Sequence, residues 1–144
     1  MRILAIDPGE KRIGIALSDP TGTIASPLII IQHKSFDENI LTIHQLINQY
    51  QVQRVVVGVA LDPEGEETSS SRRARKLGEG LKNRFSLDVR YLDEYGTTNE
   101  AITSAFSAGK RRKDRREHLD SVAAAILLQR YIEMEMDNPT EHEP

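Results

Sequence analysis

Three carboxylates stand at the edges of the best-defined apolar segments of this chain: Asp7, Glu94 and Asp120. Asp7 closes the run Ile3-Leu4-Ala5-Ile6, Glu94 follows Val89-Arg90-Tyr91-Leu92-Asp93, and Asp120 opens a helical stretch whose apolar positions are Leu119, Val122, Ala123, Ile126, Leu127 and Tyr131. Carboxylates that converge in a fold repel one another and resist ionising together. A hard divalent cation relieves that conflict, and an all-oxygen donor set suits Mg²⁺ or Mn²⁺. If the three meet in space, the chemistry they predict is metal-assisted phosphodiester cleavage.

Each acid also has a plainer reading. Asp7 could make an ordinary turn hydrogen bond in a hairpin at Pro8-Gly9, where Gly9 permits a positive φ. Glu94 could be solvated, with Thr97 and Thr98 only capping the helix that follows. Asp120, read as a first-turn residue, gains from the helix N-terminus. That last reading leaves unexplained why Asp120 shares a face with Ala123, Ala124 and Leu127. Asp93 and Glu94 point to opposite faces of a continuing strand, so only one of them can enter a shared site.

Candidate phosphate contacts accompany the acids. Lys11 and Arg12 flank the first turn, and Thr97 and Thr98 stand at an expected helix start, where free N–H groups attract anions. Lys110, Arg111, Arg112, Lys113, Arg115 and Arg116 form a basic run read as a loop over Ser107 to Arg116, either solvated or clamping a nucleic-acid backbone. The overall net charge of -3 hides this patch, but screening over about 8 Å makes the local charge the one a phosphate feels. His33, His44, His118 and His142 show no zinc spacing. Ser69-Ser70-Ser71 lacks a nucleophile context, and Gly78 and Gly80 form no phosphate fingerprint.

The elements that must position these groups follow from periodicity. Ile3–Asp7 reads as a doubly buried strand, Arg12–Asp19 as its hairpin partner, and Thr23–Ile31 as a third strand that Pro27 confines to an edge or a bulge. Phe36, Ile40, Ile43 and Ile47 mark a helix, Arg54–Val59 a buried parallel strand, and Ala74, Leu77, Leu81 and Phe85 a second helix after a loop over Asp62–Ser71. Leu87–Leu92 is a fifth strand, Thr98–Phe106 a short helix, and the Leu119–Tyr131 stripe the last one. Three antiparallel strands followed by βαβ crossovers predict an α/β fold: a mixed five-stranded sheet with helices on both faces, the ribonuclease H-like arrangement. Residues 1–136 read as a single domain. Residues 137–144 read as an acidic, disordered tail.

The 144 residues, 38% hydrophobic and 28% charged, are ordinary for one globular domain. No apolar run reaches membrane-spanning length, no signal-peptide pattern opens the chain, and there is no cysteine for a disulfide, thiolate zinc site or thiol nucleophile. A cytoplasmic protein with no membrane partner is expected.

Four ordered motifs resemble the YqgF/RuvX family, which is related to bacterial Holliday-junction resolvases. They are the opening Ile6-Asp7-Pro8-Gly9 through Gly14, the strand Val56-Val57-Gly58-Val59-Ala60-Leu61, the segment Asp93-Glu94-Tyr95-Gly96-Thr97-Thr98, and the helix Asp120-Ser121-Val122-Ala123-Ala124. The resemblance covers roughly Met1 to Ile132. It implies that Glu94, not Asp93, is the functional acid, and that Asp7, Glu94 and Asp120 are catalytic metal ligands. It further implies a nuclease acting on precursor 16S ribosomal RNA within ribosomal precursor particles, with branched DNA as the alternative substrate. A monomer or weak homodimer is the expected state; resolution of a junction normally takes two sites, hence a dimer, and a strict monomer would weaken that option. A non-catalytic nucleotide- or nucleic-acid-binding module is the third alternative. Two departures bear on substrate contacts: Tyr95-Gly96 stands where the family usually has Arg-Leu, and Ala60 replaces a proline.

Overall fold

The computed structural model describes residues 1–94 and 112–137, the latter with side chains from residue 121 onward. Its elements are β1 (Ile3–Pro8), β2 (Arg12–Ser18), β3 (Ala25–Gln32), α1 (Phe36–Gln49), β4 (Arg54–Val59), α2 (Ser69–Phe85), β5 (Asp88–Asp93) and α3 (Arg112–Asp137). The helix expected at Thr98–Phe106 and the tail from residue 138 lie outside the described residues, as do Thr97, Thr98, Lys110 and Arg111.

The five strands form one sheet in the order β3-β2-β1-β4-β5. β1 pairs antiparallel with β2 and parallel with β4, and β4 pairs parallel with β5. β1 is central because both of its faces are apolar: Leu4, Ala5 and Ile6 are wholly buried. Its even-numbered residues face one layer and its odd-numbered residues the other, as strand geometry requires. Pro27 sits on the edge strand β3, where the register shifts: Ile15 pairs with Ile29 and Ala16 with Pro27. A residue without an N–H is tolerated at such a place.

α1 and α2 cover the face that carries Leu4, Ile6, Val55 and Val57. α1 is started by Ser35, whose side chain accepts from Glu38 N at 3.1 Å. α2 begins at Ser69, inside the stretch read as loop. Thr68 and Ser71 cap one another reciprocally there, each side chain accepting from the other's backbone N–H. Gly78 and Gly80 have packing roles. A Cβ on Gly78 would lie 2.6 Å from the Tyr91 hydroxyl, and one on Gly80 would lie 2.7 Å from Phe36 Cζ.

α3 covers the opposite face, over Ile3, Ala5, Ala16 and Val56. The small Ala5, Ala16 and Ala124 let it lie close to the strands. Two expectations are corrected here. α3 starts at Arg112, so Arg112, Lys113, Arg115 and Arg116 are helical, not loop residues. A run of charges carries no apolar period, but Arg, Lys and Glu all have good intrinsic helix propensity. Asp120 is consequently in the third turn of α3, so the helix N-terminus does not account for its acidity.

Candidate catalytic site

Asp7 is the penultimate residue of β1 and pairs with Gly14 of β2. Its odd number places it on the α3 face, with Ile3 and Ala5. β5 ends on Asp93, and Glu94 continues the ladder through its N–H to Val59 O at 2.9 Å. Its parity with Leu92, which packs on the α3 side, puts Glu94 on that face too. β4 lies between β1 and β5, so the two acids can meet only across it.

Gly58 makes the crossing available. It stands on the α3 face of β4, opposite Leu92 in register. A Cβ built on it would come within 2.8 Å of Cγ, Cδ and Oε1 of Glu94. The Glu94 side chain therefore lies in the space that any other residue at position 58 would fill, and from there its carboxyl hydrogen-bonds Asp7. Burial, then the Asp7 hydrogen bond and charge, then the charge of Asp93, all push the Glu94 carboxyl far above the usual carboxylate range. Two carboxyls in contact share a proton or recruit a cation.

The course of α3 bears on the third acid. Its C-terminal half lies at the start of β4: the Tyr131 hydroxyl accepts from Arg54 Nη1 at 3.1 Å. Going back to Asp120 covers about 16 Å at 1.5 Å per residue, and Arg54 to Gly58 spans about 13 Å of strand. Helical spacing puts Asp120 one turn before the buried Ala123 and Ala124, on the stripe that meets the sheet. Asp120 thus lies on the side of α3 that meets this face of the sheet. Its side chain is outside the described set. Among the described residues no group of three His, Asp or Glu gathers as a metal cage, and Asp7 with Glu94 forms a pair.

Of the other candidates, Lys11 is exposed on the β1–β2 turn, where its carbonyl accepts from His33 N at 2.9 Å. Arg12 is half-buried at the start of β2. The turn itself differs from expectation. Gly9 is not among the glycines with positive φ, which are Gly22 and Gly65. Glycine is required at position 9 because a Cβ there would sit 2.6 Å from Arg12 O, the acceptor of Gly9 N. Sequence reasoning missed the role of Gly58. Its only signal was a glycine inside a β-branched strand, which marks a close approach.

A mixed sheet in this order, helices on both faces and acids at the ends of β1 and β5, defines the ribonuclease H-like class. Solved structures agree on the fold: Thermus thermophilus RuvC in complex with a Holliday junction superposes with a TM-score of 0.62 at 12% identity, covering 96% of this chain and 97% of that one. The fowlpox virus Holliday junction resolvase gives 0.57 at 14% identity, covering 93% and 99%. Within this class the chain belongs to the RuvX family, whose model, described as Holliday junction resolvase, matches residues 1–134. Relatives named "Putative pre-16S rRNA nuclease" include proteins of Lactococcus lactis, 36% identical over 92% of this chain and 94% of theirs, and of Caldanaerobacter subterraneus, 34% identical over 96% and 100%.

Proposed function

We propose that this protein is a metal-dependent endonuclease that processes the 5′ end of precursor 16S ribosomal RNA in the cytoplasm. The observation that carries this reading is the contact of Asp7 with Glu94 across Gly58, on the face of the sheet that α3 covers. A half-buried carboxyl pair in which burial, Asp7 and Asp93 all disfavour the charge of Glu94 is a poor structural device and a good cation receptor. The donors are all carboxylate oxygens, which fits Mg²⁺ or Mn²⁺. Asp7, Glu94 and Asp120 would be the ligands. A bound divalent ion supplies charge neutralisation at the phosphate and a more acidic water.

The chain's own residues have separate tasks in this reading. Gly58 keeps Glu94 aimed at Asp7. Ala5, Ala16 and Ala124 let α3 approach and exclude water from the floor of the site. Lys11, Arg12, Thr97, Thr98 and the basic run Lys110, Arg111, Arg112, Lys113, Arg115 and Arg116 hold phosphates of the nucleic acid. Placing the last four of these on α3 makes them a helical extension of the element that carries Asp120. The relatives' naming supports the ribosomal RNA substrate and ribosomal precursor particles as partners. The family description keeps junction DNA as the second reading, with a homodimer as its requirement.

Labelled precursor RNA and junction DNA, each incubated with Mn²⁺, with Mg²⁺ and with chelator, decide between them. Metal-dependent RNA cleavage that Asp7→Asn abolishes is the expected result. Cleavage that persists in chelator removes the metal assignment, and cleavage of the junction alone transfers the function to the second reading.

A further inference from the structure

On the other face of β1, next to the acids but separated from them by the strand itself, lies a cavity of about 220 Å³. Its walls are apolar: Pro8 and Ile13 from the β1–β2 hairpin, Phe36 from α1 and Leu77 from α2. Its mouth is cationic. Arg73 and Lys76 are both exposed on α2, and Lys76 Nζ is held 4.9 Å from the centre of the Phe36 ring. Among the described residues its lining contains no carboxylate. Glu10 approaches Arg73 at 3.8 Å with 78% of its side chain exposed, a pair weak enough for a phosphate to displace. Asn39, 3% exposed, also lines the cavity. Its Oδ1 is occupied by Lys34 N at 3.0 Å, so its NH₂ is the group with hydrogens to offer. Exposed His33 completes the rim.

We propose that this cavity is a second nucleic-acid subsite, taking one unpaired base of the substrate strand between Pro8, Phe36 and Leu77 while Arg73 and Lys76 hold its phosphate. The size favours a single ring system, since it falls below the roughly 300 Å³ at which pockets for drug-sized ligands begin. The chemistry is that of single-strand recognition: a splayed base in an apolar slot and cations on the backbone. Continuity with the cleavage site is short. Asp7 and Pro8 are consecutive residues, about 3.8 Å apart at Cα, whose side chains go to opposite faces of β1. A strand with its scissile phosphate at Asp7 needs only to cross the Gly9–Lys11 turn to deliver a neighbouring base. The inference rests on the nuclease reading for the identity of its ligand, though not for the existence of the slot.

The test uses methyl NMR of the full-length Glu94→Gln protein without metal, so that no cleavage intervenes. Uridine and adenosine monophosphates are titrated to millimolar concentration, with ribose 5-phosphate as the base-free control. The expected result is that a nucleotide shifts the methyls of Ile13 and Leu77, ribose phosphate does not, and His33→Trp, which fills the mouth from an exposed position, removes the response. Arg73→Ala with Lys76→Ala should weaken binding about tenfold, the equivalent of one lost charged contact. Silence of Ile13 and Leu77, equal shifts from ribose phosphate, or shifts confined to Val56 on the other face would each overturn the proposal. Failure of the nuclease reading looks different: wild-type protein leaves RNA and junction intact with Mn²⁺ while the Ile13 and Leu77 response remains.

Discussion

The two ends of β4 treat buried charge in opposite ways. At its start, Arg54 is 14% exposed and surrounded by partners: Asp88 Oδ2 at 2.8 Å, Glu135 Oε1 at 3.3 Å and the Tyr131 hydroxyl. Burial alone would lower the Arg54 pKa, but the Asp88 hydrogen bond and Tyr131 reverse the shift upward. Burial would likewise raise Asp88, and hydrogen bonds from Arg90 and Arg54 bring it below its ordinary value. At the other end, Gly58 opens the way for Glu94 to reach Asp7, and every named influence on Glu94 opposes its ionisation. One end satisfies its charges and ties α3, β4 and β5 together. The other stores a conflict that a cation would resolve. Conflicts of this kind cluster at functional sites.

Breaking the strained end should have the largest effect. Asp7→Asn or Glu94→Gln is expected to lower metal-dependent cleavage by about 10³-fold or more, the scale of losing a preorganised electrostatic group. Both variants should fold about as well as the parent in chelator, because an amide can keep the hydrogen bond while removing one of the two groups that resist ionising together. Thermal melts beside cleavage assays measure the two quantities separately. A variant that loses activity only by unfolding would erase the contrast between the ends.

Gly58→Ala sharpens the same contrast more gently. The new Cβ would stand 2.8 Å from three atoms of Glu94, so the side chain must swing away from Asp7. A shift of this kind is expected to cost about 10²-fold in kcat against about 1–3 kcal/mol of overpacking. Steady-state kinetics should show the loss in kcat, with KM for the RNA little changed. Full activity in this variant would mean that Glu94 does not need its place beside Asp7.

The satisfied end should behave in the reverse sense. Arg54→Met is expected to cost about 2–3 kcal/mol of stability. That is less than for a fully buried pair, because Arg90 still neutralises Asp88 at 2.9 Å. Urea unfolding should show a lower midpoint at an unchanged slope, and cleavage by the folded fraction should match the parent.

The mixed five-stranded sheet, the helices on both of its faces and the place of Asp7 near the end of β1 were legible in the sequence because they follow from local period: continuous apolar runs for β1 and β4, alternation for β2, and spacings of three and four for α1 and α2. Pro27 marked the edge strand for a reason of hydrogen-bond chemistry alone. Alternation also showed that Asp93 and Glu94 could not both face Asp7, while the family resemblance was needed to choose between them. What stayed hidden depends on pairing across distance. Arg54 meets partners 34 and 81 residues away, and nothing local in Arg54, Asp88 or Glu135 announces that. Nor does anything near Gly58 in the sequence announce that Glu94, 36 residues on, lies over it. The early start of α3 was missed because a basic run offers no apolar stripe, and the start of α2 because Thr68 and Ser71 cap by hydroxyls alone.

The smallest expected effect tests whether the two ends also respond oppositely to pH. Glu94 has its pKa raised in the folded state, so its contribution to stability is fully present below the unfolded carboxylate value of 4.5 and is lost as pH rises toward the folded value. Asp19, in the β2–β3 turn beside the start of β1, is the opposite case. Hydrogen bonds from Ile24 N, the Thr21 hydroxyl and Thr23 N hold its carboxyl well below the usual range. Its contribution is present above the unfolded value of 3.8 and disappears as pH falls. Without metal, melting temperature should therefore decline on both limbs. Glu94→Gln should flatten only the alkaline one, and Asp19→Asn only the acidic one, with a smaller change because that turn is open to solvent. Added Mn²⁺ should restore the alkaline limb and leave the acidic limb where it was, since a cation competes with the proton at Glu94 and has no business at Asp19. If Mn²⁺ moved both limbs equally, its binding would not be localised to the Asp7–Glu94 end, and the division of β4 into a satisfied and a strained end would fail.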